Sequence, residues 1–367
     1  MKILVIWKAL VSEAYHKRFI ELAKFKDVEL ALVVPTKWHN TELEKTCCSE
    51  YKIIPKRVVL NGSNHFHWYP GLARIIRQVR PDILHIEEEH YSIVTYQAIR
   101  LAKKYNVKSM FVSLQNIYKI YPFPFSWIEK YNMQNADYVV AVSDEIKSVL
   151  IRKGLGKGQI PVIPYGVDHL MCRKTESQKL ESKLGLDSFT IGYMGRFVVE
   201  KGIMDLLYAV SRINNNFNLL LVGSGKLKYK IEAEGRRLGL LEKIRIVDSI
   251  PSSKVPYYLN CMDCLVLPSR TTRKWKEQFG RVLTEAMSCE VPVIGSDSGE
   301  IPNVIGDCGL VFKEGDVNDL SSKIKRLINN PGLRGELAKK GRQRVLEDFT
   351  QEKAARDTYK IYQKMMC

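Results

Sequence analysis

Short apolar runs recur along the chain, each followed by a stretch whose apolar positions return every three or four residues. Lys2–Trp7, Val28–Val34, Tyr51–Leu60, Ile83–Glu87, Lys108–Leu114 and Tyr138–Val142 read as buried strands, with Ile160–Pro164 closing the series. Between them Glu13–Phe25, Leu72–Val79, Ile93–Lys104, Phe125–Gln134 and Glu145–Lys153 read as helices. Ala14, Phe19, Ile20 and Ala23 fall on one side of the first, and Ser143 with Asp144 caps the last. Strands that are apolar throughout and alternate with amphipathic helices predict a parallel sheet covered on both faces.

The pattern pauses at Tyr165-Gly166-Val167-Asp168, and the polar stretch from Arg173 to Lys183 reads as a connection and a first helix. A second series follows. Its strands are Thr190–Met194, Asn218–Val222, Ile244–Val247, Asp263–Leu267, Val291–Ile294 and Leu310–Phe312. Its helices are Ile203–Ile213, Lys226–Leu238, Lys254–Asn260, one opening near Phe279-Gly280-Arg281, Asp316–Asn329 and Pro331–Phe349. The expectation is two Rossmann-like doubly wound α/β domains, 1–167 and 168–349, facing across a cleft. A C-terminal helix, residues 350–367, returns to the first.

Composition changes this picture little. At 367 residues, 45% hydrophobic and 26% charged, the chain has room for two cores. No run approaches a membrane span, and the opening MKILVIWKAL lacks a small-residue cleavage site, so a first strand and a cytoplasmic location are expected. Cys261 and Cys264 form a CxxC with no second pair to complete a zinc site, and Cys47-Cys48 are adjacent; buried reduced thiols are expected. Lys and Arg number 57 against 40 Asp and Glu, a net charge of +17. Residues 1–170 carry 24 against 16 and the remainder 33 against 24, so the excess is spread rather than gathered in an arm. That favours polyanions such as a nucleotide or an anionic leaflet. No nucleic-acid motif accompanies it, and no nucleic acid is expected.

The candidate chemistry collects in the second series. Glu277 and Glu285 flank the start of one helix, spaced to accept hydrogen bonds from hydroxyls at two points of an extended ligand. Gly195 follows a strand, and Arg196 and Lys201 bracket its loop with a planar fork and a point charge, suited to a diphosphate. Gly223 ends the next strand. Each alone is a weak signal: a surface carboxylate, a salt bridge, a tight turn. A neutral ligand would not need the cations, and a bare phosphate would not need the glutamates. In the first series, His85 and His90 flank Glu87-Glu88-Glu89, which reads as a solvated acidic loop rather than a metal site, with an acceptor-binding role open to Glu88 or Glu89. Trp68, Tyr69, Tyr121, Phe123 and Phe125 suit simple packing, sugar stacking or contact with a membrane surface.

Together GRF…EKG, GSG, the two glutamates and PVIGSDSGEIP resemble a retaining glycosyltransferase of family 4, with the GT-B fold. The resemblance covers the second domain by motif and the first by its element order. It implies a UDP- or GDP-linked sugar donor in the second domain, a glycan, lipid-linked or small-molecule acceptor in the first, and transfer with retained configuration. No metal and no cofactor beyond the nucleotide-sugar co-substrate are implied. Arg196 and Lys201 would neutralise the diphosphate, Glu277 would support the transferred sugar, and Glu285 would hold the ribose. The Phe279-Gly280-Arg281 turn would offer backbone N–H groups, with Gly195 and Gly223 bordering the nucleotide.

Three departures stand out. Lys8-Ala9-Leu10-Val11-Ser12 occupies the place of a glycine-rich loop, Gln115 and Asn116 stand where a histidine is usual, and Glu290 replaces a glycine. Gln115, Asn116 and Glu88 are the acceptor-side candidates. Polysaccharide or glycolipid biosynthesis, at or near the inner face of the cytoplasmic membrane as a peripheral protein, is the setting this implies. Other readings keep the fold: a nucleotide-sugar epimerase, a phosphorylase (no lysine signature for a pyridoxal cofactor is present), or a noncatalytic basic binder of anionic membrane or nucleic acid.

Overall fold

The computed structural model describes residues 1–44, 49–156 and 160–367. Cys47 and Cys48 lie outside the described residues. The chain forms two compact units, Met1–Gly166 with Gln351–Cys367, and Val167–Thr350.

In the first unit, strands β1 (Lys2–Ile6), β2 (Glu29–Pro35), β3 (Lys37–Trp38), β4 (Thr41–Glu42), β5 (Lys52–Lys56), β6 (Ile83–Ile86), β7 (Lys108–Ser113) and β8 (Tyr138–Ala141) follow in chain order. All but β3 and β4, which pair with each other, form one parallel sheet ordered β5-β2-β1-β6-β7-β8. Ile3 sits opposite Leu30 of β2 and Ile83 of β6. Ile3 to Ile6 are all fully buried, which is why the strand reads as an unbroken apolar run. Helices α1 (Lys17–Ala23), α2 (Leu72–Val79), α3 (Ile93–Tyr105), α4 (Phe125–Asn135) and α5 (Asp144–Arg152) connect the strands. Ser92 and Ser143 cap α3 and α5, each accepting from the backbone N–H three residues on.

The second unit repeats the plan. Helices α6 (Gln178–Leu184), α7 (Ile203–Val210), α8 (Lys228–Arg237), α9 (Val255–Leu259), α10 (Arg281–Ser288), α11 (Ile301–Ile305), α12 (Val317–Asn329) and α13 (Pro331–Asp348) surround six strands. These are β9 (Thr190–Met194), β10 (Asn218–Val222), β11 (Ile244–Val247), β12 (Cys264–Leu267), β13 (Val293–Ser296) and β14 (Leu310–Phe312), ordered β11-β10-β9-β12-β13-β14. Every neighbouring pair is parallel.

The last helix, α14 (Gln351–Met366), packs on α1 of the first unit. Tyr359 stacks on Phe25 with centroids 4.0 Å apart, and the buried Tyr362 hydroxyl lies 2.6 Å from His85 Nδ1. No described helix is long and apolar enough to cross a membrane.

Several expected elements are shorter. Ile160–Pro164 forms no strand; Val162 makes a single bridge to Ala141. The strand expected over Tyr51–Leu60 ends at Lys56, because Val59 turns to pair antiparallel with Trp68. The expected Glu13–Phe25 helix opens as a separate 3₁₀ turn, Glu13–Tyr15, before α1. Buried His16 sits at that break, its ring tied to the Leu10 carbonyl and the Tyr51 hydroxyl. Glu290 adopts φ 58°, the left-handed backbone that makes glycine the easier residue there.

Candidate active site

In each sheet the strand order reverses once, between β1 and β6 and between β9 and β12. Loops leaving the carboxyl ends of strands at such a reversal diverge and leave room for a ligand. In the second unit these loops begin with Gly195-Arg196 after β9 and Pro268-Ser269 after β12.

The loop after β12 runs to α10 and carries Glu277, which is buried at 7% exposure. Lys201 Nζ donates to Glu277 Oε2 at 2.6 Å, and Ser269 Oγ donates to the same oxygen at 2.7 Å. Trp275 closes over the pair, with Lys201 Nζ 4.9 Å from its ring centroid. The loop is anchored at its start: Arg270 forms a two-pronged pair with Asp205 of α7, both contacts at 2.5 Å, and its N–H donates to the Glu200 carbonyl. Gly299 fixes the other side. At φ +61°, a Cβ there would lie 2.1 Å from the Glu277 carbonyl oxygen, so a side chain would push Glu277 out of place.

Arg196 is exposed, while its carbonyl accepts from the buried Tyr193 hydroxyl at 2.7 Å. Burial, with the Glu277 carboxylate near, pushes that hydroxyl's pKa well up, and Arg196 pulls it the other way; it stays protonated and donating. Arg196, Lys201 and Glu277 therefore share one neighbourhood around the end of β9. Gly223 borders it from β10, where a Cβ would lie 1.9 Å from the Gly195 carbonyl oxygen.

Glu285 sits on α10, one side-chain row from Arg281, whose Nε lies 2.8 Å from its carboxylate. Burial pushes the Glu285 carboxyl above its ordinary range, with Arg281 opposing. The helix begins at Arg281, behind left-handed Gly280, with no capping side chain. Phe279 is a packing residue, buried edge-on against Phe349 at 5.7 Å.

In the first unit the stretch after β1 that stands in place of the family's glycine-rich loop forms a 3₁₀ turn, Lys8–Val11. Lys8 pairs with Glu88 through both its backbone N–H, at 2.8 Å, and its ammonium. Glu87 pairs with buried Arg18 and lies 2.9 Å from His85 Nε2. Glu87 and Glu88 are thus buried, and the solvated acidic loop expected from sequence is corrected: it ends the central strand β6, under the turn that follows β1. Burial alone would raise the Glu88 carboxyl, but Lys8 and His67 outweigh it and hold it below its ordinary range. Burial raises the Glu89 carboxyl, and the opposing pull of His90 and Lys8 does not overcome it.

Gln115 and Asn116 follow β7. Asn116 Nδ2 donates to Glu145 at 3.1 Å. Gln115 is buried beside the Tyr121 hydroxyl, and its amide has no well-aligned hydrogen-bond partner among the described residues. Ser113, His90 and Glu129 form a chain, with 3.1 Å and 2.9 Å contacts, in the order of a nucleophile, base and carboxylate. Ser113 and His90 are fully buried, so the chain is a structural network rather than a hydrolytic site. Cys261 and Cys264 are buried, and burial pushes the Cys261 thiol up to about 12, far from a reactive thiolate.

Sequence reasoning missed Ser269, Trp275, Asp205 and Lys8. Ser269 alone had a legible signal, as the second residue past a buried strand. The others meet their partners only through strand order.

Two doubly wound sheets of this order, one with clustered cations and carboxylates at its reversal point, place the chain in the class of GT-B transferases. Residues 174–344 match the family model described as glycosyl transferases group 1, and residues 20–169 match that of glycosyltransferase family 4. The capsular polysaccharide biosynthesis glycosyltransferase CapM of Staphylococcus aureus is 31% identical over 273 residues, 71% of this chain and 69% of the relative. The alpha-maltose-1-phosphate synthase of Mycolicibacterium smegmatis is 26% identical over 326 residues, 82% and 78% of the two chains. Among solved structures, HepE of Anabaena in complex with UDP superposes with a TM-score of 0.79 at 17% identity, over 99% of this chain and 100% of that one. Sucrose-phosphate synthase from Thermosynechococcus elongatus does so with 0.78 at 20% identity, over 100% and 99%. The chain belongs to the family 4 glycosyltransferases, and its activity is glycosyl transfer. The epimerase and noncatalytic readings find no support in these matches.

Proposed function

We propose that this glycosyltransferase moves a hexose from a UDP- or GDP-linked donor to a glycan, lipid-linked or small-molecule acceptor, with retention of configuration and without a metal ion. The observation that carries the reading is the convergence of Lys201 and Ser269 on one oxygen of buried Glu277, beside Arg196 at the end of β9. Positive charge fixed where a diphosphate departs stabilises the developing negative charge, because its reorganisation is already complete before reaction. Glu277, held by two donors, is then a fixed carboxylate for the hydroxyls and developing positive charge of the sugar. Glu285 suits the ribose hydroxyls. The bond from the anomeric carbon to the phosphate oxygen breaks, the acceptor oxygen bonds to that carbon, and its proton passes to the departing phosphate. Arg196 and Lys201 supply the positive charge that a metal ion would otherwise bring.

The UDP-bound Anabaena structure supports the nucleotide class, and the capsular relative supports a glycan acceptor. On the acceptor side, the Gln115 amide, with unused hydrogen-bonding capacity, suits a hydroxyl-bearing ligand. Glu88, committed to Lys8, positions the turn after β1.

The test is nucleoside diphosphate release from a panel of nucleotide sugars in the presence of EDTA, with the product's anomeric configuration read by proton NMR. The expected outcome is full turnover in EDTA and a retained configuration, with Glu277→Gln slower by about 100-fold or more. An inverted product, or activity abolished by EDTA, removes the reading.

A further inference from the structure

The loop from β12 to Glu277 carries more positive charge than a diphosphate accounts for. Within it the Thr272 N–H donates to the Trp275 carbonyl at 2.8 Å, and the Trp275 N–H donates to the Thr272 hydroxyl at 2.9 Å. These four residues close a tight turn. Its two central positions are Arg273 and Lys274, both exposed, and Lys276 stands between Trp275 and Glu277. Three of the four residues from Arg273 to Lys276 are therefore cations, and the loop holds no Asp or Glu before Glu277.

The turn is built onto the site. Trp275 lies over Lys201, with Nζ 4.9 Å from its ring centroid, and Lys201 in turn donates to Glu277. At the other end Thr271 donates to Glu314 Oε2 through both its N–H, at 3.0 Å, and its hydroxyl, at 2.8 Å. The carboxylates that this loop touches are thus committed: Asp205 to Arg270, Glu314 to Thr271, and Glu277 to Lys201 and Ser269. Arg273 has no ion-pair partner among the described residues. Like charges held together on a fixed turn repel one another, and an anion brought by a ligand relieves that repulsion. Arg196 and Lys201 already serve the diphosphate. A neutral hexose presents hydroxyls, which Glu277 serves, and gives the further cations nothing to neutralise. A carboxylate on the sugar matches the arginine fork and the lysine point charge beside it. The turn leads directly into Glu277, which sets that carboxylate at the sugar end of the donor and not at the ribose end assigned to Glu285.

Resting on the donor-site reading above, we propose that the transferred hexose is a hexuronic acid, whose carboxylate is received by Arg273 and Lys274.

The test is calorimetric titration of the full chain with UDP-glucose and UDP-glucuronate, with GDP-mannose and its 6-carboxylate counterpart, and with UDP and GDP alone. The expected result is that one uronate binds about tenfold more tightly than its neutral partner. The double variant Arg273→Gln, Lys274→Gln should lose that preference while binding the bare nucleoside diphosphate as the parent does. Arg273→Glu with Lys274→Glu should reverse the preference in favour of the neutral sugar. Nucleotide binding without preference for a uronate overturns this proposal and leaves the donor site standing, whereas failure of every nucleotide to bind removes both. An equal loss of affinity for the uronate and for the bare diphosphate in the Gln variant also overturns it, because the turn then belongs to the diphosphate.

Discussion

Glu277 receives an ammonium and a hydroxyl on the same carboxylate oxygen, and this pair of donors sets where its other oxygen points. Removing the neutral donor tests positioning without touching charge. Ser269→Ala should lower kcat by about 10- to 100-fold through misplacement of Glu277, with nucleotide affinity little changed; an unaltered kcat would show that Lys201 alone suffices. Glu285 tests the opposite balance. Its folded-state pKa is raised by burial, so ionisation costs the native state stability at pH values above it, and the cost vanishes as pH falls and the carboxyl protonates. Glu285→Gln should therefore melt higher than the parent at pH 8 and coincide with it near pH 4, while binding nucleotide more weakly at both. Arg196, Lys201 and Glu277 stand out as candidates in the sequence because they follow buried strands, where charged residues have few structural reasons to gather, whereas Glu285, on α10, stands out only by its spacing from Glu277. Glu88 was misread for a physical reason. Three consecutive glutamates look solvated unless their partners are known, and Lys8 and Arg18 lie 80 and 69 positions away.

Helix α14 shows how an element can be placed by pattern yet owe its anchoring to contacts no pattern states. Its apolar stripe, with Ala354, Ala355, Ile361 and Tyr362 buried, predicts a covered face. The polar pin at its centre, Tyr362 hydroxyl to His85 Nδ1, joins residues 277 positions apart. Burial lowers the His85 pKa, so the ring is neutral and needs a partner for each nitrogen. Tyr362→Phe leaves Nδ1 unpaired and should cost about 1 kcal/mol. Tyr362→Ala adds a cavity and should cost about 3 to 5 kcal/mol. Denaturant unfolding measures both, and equal midpoints for the parent and Tyr362→Phe would show that the bond contributes nothing. Strand ends were the least legible feature. Tyr51–Leu60 keeps its apolar character past Lys56, but Val59 pairs with Trp68 instead, a choice made by long-range packing. The expected Ile160–Pro164 strand had the right composition and only one bridge to accept it.

At the scale of the whole chain, alternation of strand and helix foretold two parallel sheets, while the order of strands within each was unreadable. That order decides function, because it puts the loops after β9 and β12 at the reversal point and brings Arg196, Lys201, Ser269 and Glu277 into one neighbourhood. The net charge of +17 likewise said only that polyanions would be attracted, and not where. Calorimetric titration of the full chain with UDP, GDP and ADP tests the central claim most directly. One nucleoside diphosphate should bind without added metal, and Lys201→Ala or Arg196→Ala should weaken it by about tenfold or more. Saturation by none of the three, or an affinity indifferent to both substitutions, would contradict a donor site at the ends of β9 and β12.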